Sequence, residues 1–230
     1  MTSIEGIKPL RNHVLIRISR GAHKLRLKGI DLNIDVTFNP EHHVTVKGIV
    51  AALPEQLEMF SPKADNMHAM MWETTIETKP GDLVWFDYMA AMDALGPLIH
   101  PLGLYNSSKY MIIPPGDLYI FVHYSKLYAV QEGMDLKMLN GYVCIEWTDI
   151  KETIGYQIRK KSRVIYNGSN NGKYYDGYRR EVKDAIVEPG DLVHTRKYNG
   201  TLLEHPDHKE FELDLRLIQK RDIIARDARS

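Results

Sequence analysis

The sequence predicts an all-β protein made of two small β-barrels in tandem. Three observations carry that expectation. Short runs of β-branched and aromatic residues alternate apolar with polar, Gly and Pro turns punctuate them, and one pattern of strands and turns occurs twice in the same order.

In chain order, strands are expected over 13–18 (HVLIRI), 44–51 (VTVKGIVA), 83–86 (LVWF), 118–124 (LYIFVHY), 142–147 (YVCIEW) and 211–218 (FELDLRLI). Alternation with period 2 is the mark of a strand with one buried face. Residues 53–73 are the main place for a helical turn or an ordered insertion, and Met59, Met67, Met70 and Met71 in it read as filler of a core or interface.

The repeat rests on three matches. PLRNHVLIRI at 9–18 aligns with MLNGYVCIEW at 138–147, sharing Leu10/Leu139, Val14/Val143 and Ile16/Ile145. KPGDLVWF at 79–86 aligns with EPGDLVHT at 188–195 through the five identities of PGDLV. VHYSKLYAV at 122–130 parallels IQKRDIIAR at 218–226. A Pro-Gly pair suits a type II turn, with Pro fixing φ and Gly supplying the positive φ. The break between halves falls near Gly133 in the polar stretch QEGMD, giving domains at 1–131 and 133–230. The first is longer because extra residues around 53–73 and 88–114 flank its PGDLVWF turn, and such insertions settle in surface loops.

Each half runs from an opening strand through a loop to a second strand, then (K/E)PGDLV, a further excursion and a closing strand with a D-I-I-A-like tail. In the first half the carriers are Ile7-Lys8-Pro9-Leu10 with Val14-Leu15-Ile16, Lys47-Gly48-Ile49-Val50-Ala51, and Lys79-Pro80-Gly81-Asp82-Leu83-Val84. In the second they are Val143-Cys144-Ile145, Val187-Glu188-Pro189-Gly190-Asp191-Leu192-Val193, and Lys220-Arg221-Asp222-Ile223-Ile224-Ala225. On these residues the chain resembles the GroES co-chaperonin family, duplicated. The resemblance implies ring-forming barrels that cap a chaperonin cavity and assist protein folding. It also implies a docking loop after the first strand whose aliphatic tip enters an apolar groove.

The matching loop of the first half runs from about Ser19 to Val46, with Gly29, Ile30, Asp31, Leu32 and Ile34 as its candidate chaperonin-binding residues. Asp31 departs from the family pattern, being a charge where an aliphatic residue is expected. The same stretch, IDLNIDVTF, also fits an additional strand of period 2. The second half offers Ile154, Gly155, Tyr156 and Ile158, a poorer match to an aliphatic tip. The expected partners are therefore a GroEL-like chaperonin ring and further copies of the chain. Divergence from the family pattern is compatible with a phage origin. The alternative is an assembly or virion-associated component built from the same barrels without chaperonin binding.

Composition narrows the rest. With 43% hydrophobic and 26% charged residues the chain suits a folded globular protein. Lys+Arg and Asp+Glu both number 30, so no net field draws it to nucleic acid or an anionic membrane. A single cysteine, an N-terminus without the apolar run of a secretory signal, and the lack of any long apolar stretch together place the expected compartment in the cytoplasm, the host's if the protein is viral.

No catalytic machinery, cofactor or metal centre is expected. PGDLV also resembles a turn of NlpC-type cysteine peptidases, but those need a nucleophile at a helix start, and Cys144 sits in a strand pattern. His42 and His43 are adjacent on a strand and so face opposite ways, and His205, Asp207 and His208 lie in a turn-like segment. Between Arg159 and Arg180, Arg and Lys residues interleave with Tyr166, Tyr174, Tyr175 and Tyr178, which would suit single-stranded nucleic acid. The neutral chain and the Gly/Asn-rich tip favour a solvated hairpin or a subunit contact instead.

Overall fold

The computed structural model describes residues 6–18, 24–27, 30–33, 46–61, 69–71, 74–99, 110–113, 117–154, 157–168, 173–175, 181–183, 186–195, 201–202 and 215–227. The strands are β1 (His13–Ile18), β2 (Lys24–Leu27), β3 (Ile30–Asn33), β4 (Lys47–Ala52), β5 (Leu83–Phe86), β6 (Tyr110–Ile113), β7 (Asp117–His123), β8 (Leu127–Glu132), β9 (Asp135–Met138) and β10 (Tyr142–Ile154). They continue with β11 (Gln157–Tyr166), β12 (Lys173–Tyr175), β13 (Glu181–Lys183), β14 (Leu192–Thr195), β15 (Thr201–Leu202), β16 (Leu215–Gln219) and β17 (Ile223–Arg226). Among the described residues there is one α-helix, α1 (Tyr88–Ile99). The all-β class holds. The chain forms two compact units, one on Met1–Glu58 and Ile76–Gln131, the other on Met59–Thr75, Glu132–Glu204 and His208–Ser230. Met59–Thr75 thus groups with the second unit, which a single cut at 131–133 does not anticipate.

In the first unit the strands run β6-β7-β1-β4-β5-β8, all paired antiparallel. In the second they run β15-β16-β10-β11-β14-β17, again antiparallel throughout. Read by position, these are one order written twice: β1 with β10, β4 with β11, β5 with β14, β7 with β16, β8 with β17. In neither sheet do the two end strands pair with each other among the described residues.

The correspondence extends to single hydrogen bonds. Each sheet opens on a tight turn with positive φ at both central residues, Arg11-Asn12 in one and Asn140-Gly141 in the other. The N–H groups of His13 and Tyr142 close these turns on the carbonyls of Leu10 and Leu139, at 3.1 and 2.9 Å. Positive φ at both central positions is the geometry of a type I′ turn. The Pro-Gly turns repeat as well. Gly81 and Gly190 donate to Val50 and Val164, both at 2.8 Å, and the Asp82 and Asp191 side chains accept from the N–H of Lys79 and Glu188, both at 2.9 Å. A short 3-10 turn, Tyr124–Lys126 in one unit and Lys220–Asp222 in the other, then leads into the last strand.

The cores follow the same template. Val143, Ile145, Val164, Val187, Val193, Ile218 and Ile223 form the buried cluster of the second unit. At the corresponding places of the first stand Val14, Ile16, Val50, Thr78, Val84, Val122 and Leu127, all buried. Each such aliphatic side chain taken from water contributes about 1.5–3 kcal/mol before ordering costs. The first sheet is covered on its other face too: Leu15 and Tyr119 are buried there with Ile7, Ala51, Ala52 and Phe121.

Of the stretch 53–73, expected to hold a helical turn or an ordered insertion, the described residues 53–61 and 69–71 contain no helix and hold one parallel bridge, Met59 to Met70. The helix sits instead at 88–99, inside the insertion read as a loop. Asp87 starts it, its carboxylate accepting from the Met89 N–H at 2.9 Å, and Ala91 and Ala94 are buried. No helix among the described residues is long and apolar enough to cross a membrane.

Candidate functional site

The loop expected after the first strand contains a β-hairpin. β2 and β3 pair in the register Lys24↔Asn33, Leu25↔Leu32, Arg26↔Asp31, Leu27↔Ile30. Ile30, Asp31 and Leu32 therefore lie in a strand, whereas Gly29 and Ile34 lie outside the described residues. In that register Asp31 stands across from Arg26.

In the second unit the corresponding segment is the far end of the β10–β11 ladder itself, not a separate two-stranded sheet. Beyond a register shift between Trp147 and Lys151, β10 and β11 continue with Lys151↔Lys160, Glu152↔Arg159, Thr153↔Ile158 and Ile154↔Gln157. Ile154 and Ile158 are in this end of the ladder; Gly155 and Tyr156 lie outside the described residues. Each arm has four facing pairs after the opening strand, and only that of the first unit pairs Leu with Leu and Leu with Ile.

A second feature, absent from any sequence expectation, is a cavity of about 300 Å³ in the first unit. His13 at the start of β1, Phe121 and His123 at the end of β7, Met89, Ala90 and Asp93 of α1, and Lys126 line it. The two imidazoles meet edge to face, ring centres 5.6 Å apart. Their protons are fixed by their partners. His13 Nδ1 faces the Leu10 carbonyl at 3.1 Å, which can only accept, so Nδ1 carries the proton. His123 Nδ1 accepts from the Ser125 N–H at 3.3 Å and lies 2.7 Å from the Ser125 hydroxyl, so its proton is on Nε2. Lys126 donates to the Asp87 carboxylate at 2.9 Å, tying the 3-10 turn to the start of α1.

In the second unit a carboxylate organises the end of the sheet. Asp227 accepts from Lys161 Nζ and faces His194 Nε2, both at 2.8 Å. The Lys161 bond, then that of His194, holds the Asp227 carboxyl below its ordinary range.

Of the remaining candidates, those among the described residues are placed as follows. Cys144 is fully buried, and burial pushes its thiol up to about 12, so it stays protonated at neutral pH. Among the described residues no three His, Cys, Asp or Glu side chains gather as they would around a metal ion. His42, His43, His205, Asp207 and His208 lie outside those residues. The basic and aromatic stretch is divided: Arg159 to Arg163 belong to β11, while Lys173–Tyr175 pairs with Glu181–Lys183 in a small separate hairpin. No protein-family model matches the chain, and no curated protein matches it.

Proposed function

We propose that the protein is a co-chaperonin-like binding protein, a duplicated GroES-type domain that oligomerises and caps a chaperonin ring through its arms. The observation that carries this is the strand order written twice, with the β2–β3 hairpin after the opening strand in the first unit and the far end of the β10–β11 ladder in the second. It supports the family reading because the opening strand, the Pro-Gly-Asp turn and the closing tail follow one another in space as in the sequence motif. The finer expectation, that each sheet curls into a barrel, belongs to this proposal. The arm of the first unit is the docking element, its Leu25↔Leu32 and Leu27↔Ile30 pairs supplying aliphatic material for an apolar groove. One such arm is a weak anchor once its ordering cost is subtracted. Repeated around a ring, it gains avidity.

The test is co-migration of the purified protein with a chaperonin in the presence and absence of nucleotide. Nucleotide-dependent co-migration that Ile30→Asp and Leu32→Asp abolish is expected. Co-migration that survives both substitutions removes the arm from the mechanism, and none with any nucleotide ends the reading. A second reading has its own support. The arm is a paired hairpin with a charged pair, Arg26↔Asp31, within it, which suits strand-mediated assembly without a chaperonin. Native mass measurement separates the two: a closed ring fits the lid, a monomer or dimer fits the assembly component.

A further inference from the structure

From the stack of Arg216 on Trp147 in the second unit we infer a binding site for single-stranded nucleic acid. It depends neither on the arm of the first unit nor on a chaperonin. The first argument is a comparison of equivalent places in the two sheets. In the first, Ile16 pairs with Ile120, and Ile18 follows two residues on; Ile18 and Ile120 are both buried. In the second, Ile145 pairs with Arg216, and Trp147 follows two residues on. Where one unit closes its core with two isoleucines, the other therefore carries an indole and a guanidinium. The exchange also brings the position to the surface, since Ile18 is 4% exposed and Trp147 46%.

The second argument is the chemistry of the pair. The Arg216 guanidinium carbon lies 3.9 Å from the centre of the Trp147 ring, a cation–π stack that occupies one side of the indole and leaves the residue nearly half exposed. Among the described residues Arg216 makes no ion pair, and its Nε has no hydrogen-bond acceptor. Its charge is thus not taken up by a carboxylate there. The surrounding sequence is basic: residues 147–163 hold Lys151, Arg159, Lys160, Lys161 and Arg163 against Asp149 and Glu152, although Lys161 is bonded to Asp227. The β10–β11 register sets Lys151 across from Lys160. An exposed indole with cations beside it suits a base laid on the ring and phosphates on the charges. A duplex keeps its base faces within its own stack, and an acidic peptide has no base to lay on Trp147. A single strand answers both parts. With Lys+Arg and Asp+Glu equal at 30 each, the attraction is local and not a field of the whole molecule.

The experiment is fluorescence anisotropy of labelled strands titrated with the full-length protein at about 50 mM salt. The probes are oligothymidylate and oligouridylate of about 12 nucleotides, an abasic strand of the same length, and polyglutamate. Saturable binding to oligothymidylate, oligouridylate or both is expected, weakening as salt is raised, with the abasic strand at least about tenfold weaker. Trp147→Ile, which installs the first unit's residue, should weaken the base-bearing strands by about tenfold or more and leave the abasic strand unchanged, whereas Trp147→Phe should keep most of the affinity. Arg216→Ile, likewise the first unit's residue, should weaken every strand. Far-UV spectra of the variants show that they are folded. No saturable binding by the folded wild type overturns the assignment. So does equal affinity for the abasic strand or for polyglutamate, or a folded Trp147→Ile that binds like the wild type. Because no chaperonin is present, the outcome is independent of the proposal for the arms.

Discussion

The backbone N–H of Tyr124 donates to the Asn12 carbonyl at 2.6 Å, and that of Lys220 donates to the Gly141 carbonyl at 2.9 Å, so the two residues stand at one position of a repeated sheet. Both are buried, a phenol in one copy and an ammonium stem in the other. The backbone pattern has been kept while the side chain has changed. In the first unit that side chain has a task of its own: the Tyr124 hydroxyl accepts from the Glu77 N–H at 2.7 Å, holding the approach to the Pro-Gly turn. Tyr124→Phe keeps the packing and removes the acceptor, which should cost about 1–3 kcal/mol in urea unfolding. A cost near zero would mean that the hydroxyl does not hold that segment.

The two Pro-Gly turns should respond alike. Gly81 and Gly190 have φ of +96° and +92°, and a Cβ added at either meets nothing within 4 Å. Only backbone strain is then at stake, so Gly81→Ala and Gly190→Ala should each lose roughly 1–2 kcal/mol. Gly48 differs in kind, since a Cβ there would come within 2.6 Å of the Arg17 carbonyl oxygen. Gly48→Ala should cost about 1–3 kcal/mol or more, as for forcing atoms into a filled site. Thermal midpoints of the three variants check both the ranking and the equality of the first two.

Acid should act through Asp227. Its carboxyl lies below the ordinary value of 3.8 because Lys161 and then His194 bond to the charged form. The folded state therefore binds that proton more weakly than the unfolded chain. The contribution is complete above the ordinary value and is lost as pH falls through the folded one. Urea midpoints followed below about pH 5 should fall less steeply in Asp227→Asn than in the wild type. Parallel slopes would show that the Lys161–Asp227–His194 group does not take part in the acid limb.

Thiol chemistry gives a readout of the second core. With Cys144 pushed up to about 12 by burial, a disulfide reagent at about pH 8 should leave the folded protein unmodified and react on addition of denaturant. Modification at the rate of a free thiol without denaturant would contradict the buried position between Val143 and Ile145.

Much of the fold was legible because strands and turns are local. HVLIRI and LVWF carry their own alternation or apolar run, and β1 and β5 begin and end where expected. Leu10/Leu139, Val14/Val143 and Ile16/Ile145 proved to be equivalent places in two sheets. The helix was missed because YMAAMDALGPLI carries Gly-Pro within its last turn and sits in an insertion without a repeat partner, although Asp87 ahead of it was an available N-cap signal. The hairpin at Ile30–Asn33 was visible only as alternation within a segment assigned to a loop. The cavity could not have been read, because His13, Asp93 and His123 are brought together by pairing between β1 and β7 and by a helix that local pattern did not reveal.

The opening turn of the first unit is built from Arg11 and Asn12, neither of them glycine, and it is steadied from afar. The Asn12 side chain donates to the Glu58 carbonyl at 2.9 Å and accepts from the Glu58 N–H at 2.7 Å. The opening turn of the second unit is Asn140-Gly141, a pair that favours this conformation by itself. During translation, then, the earlier-made half must wait for Glu58 to leave the ribosome before its first bend is locked. The later half can set its own as soon as Tyr142 emerges.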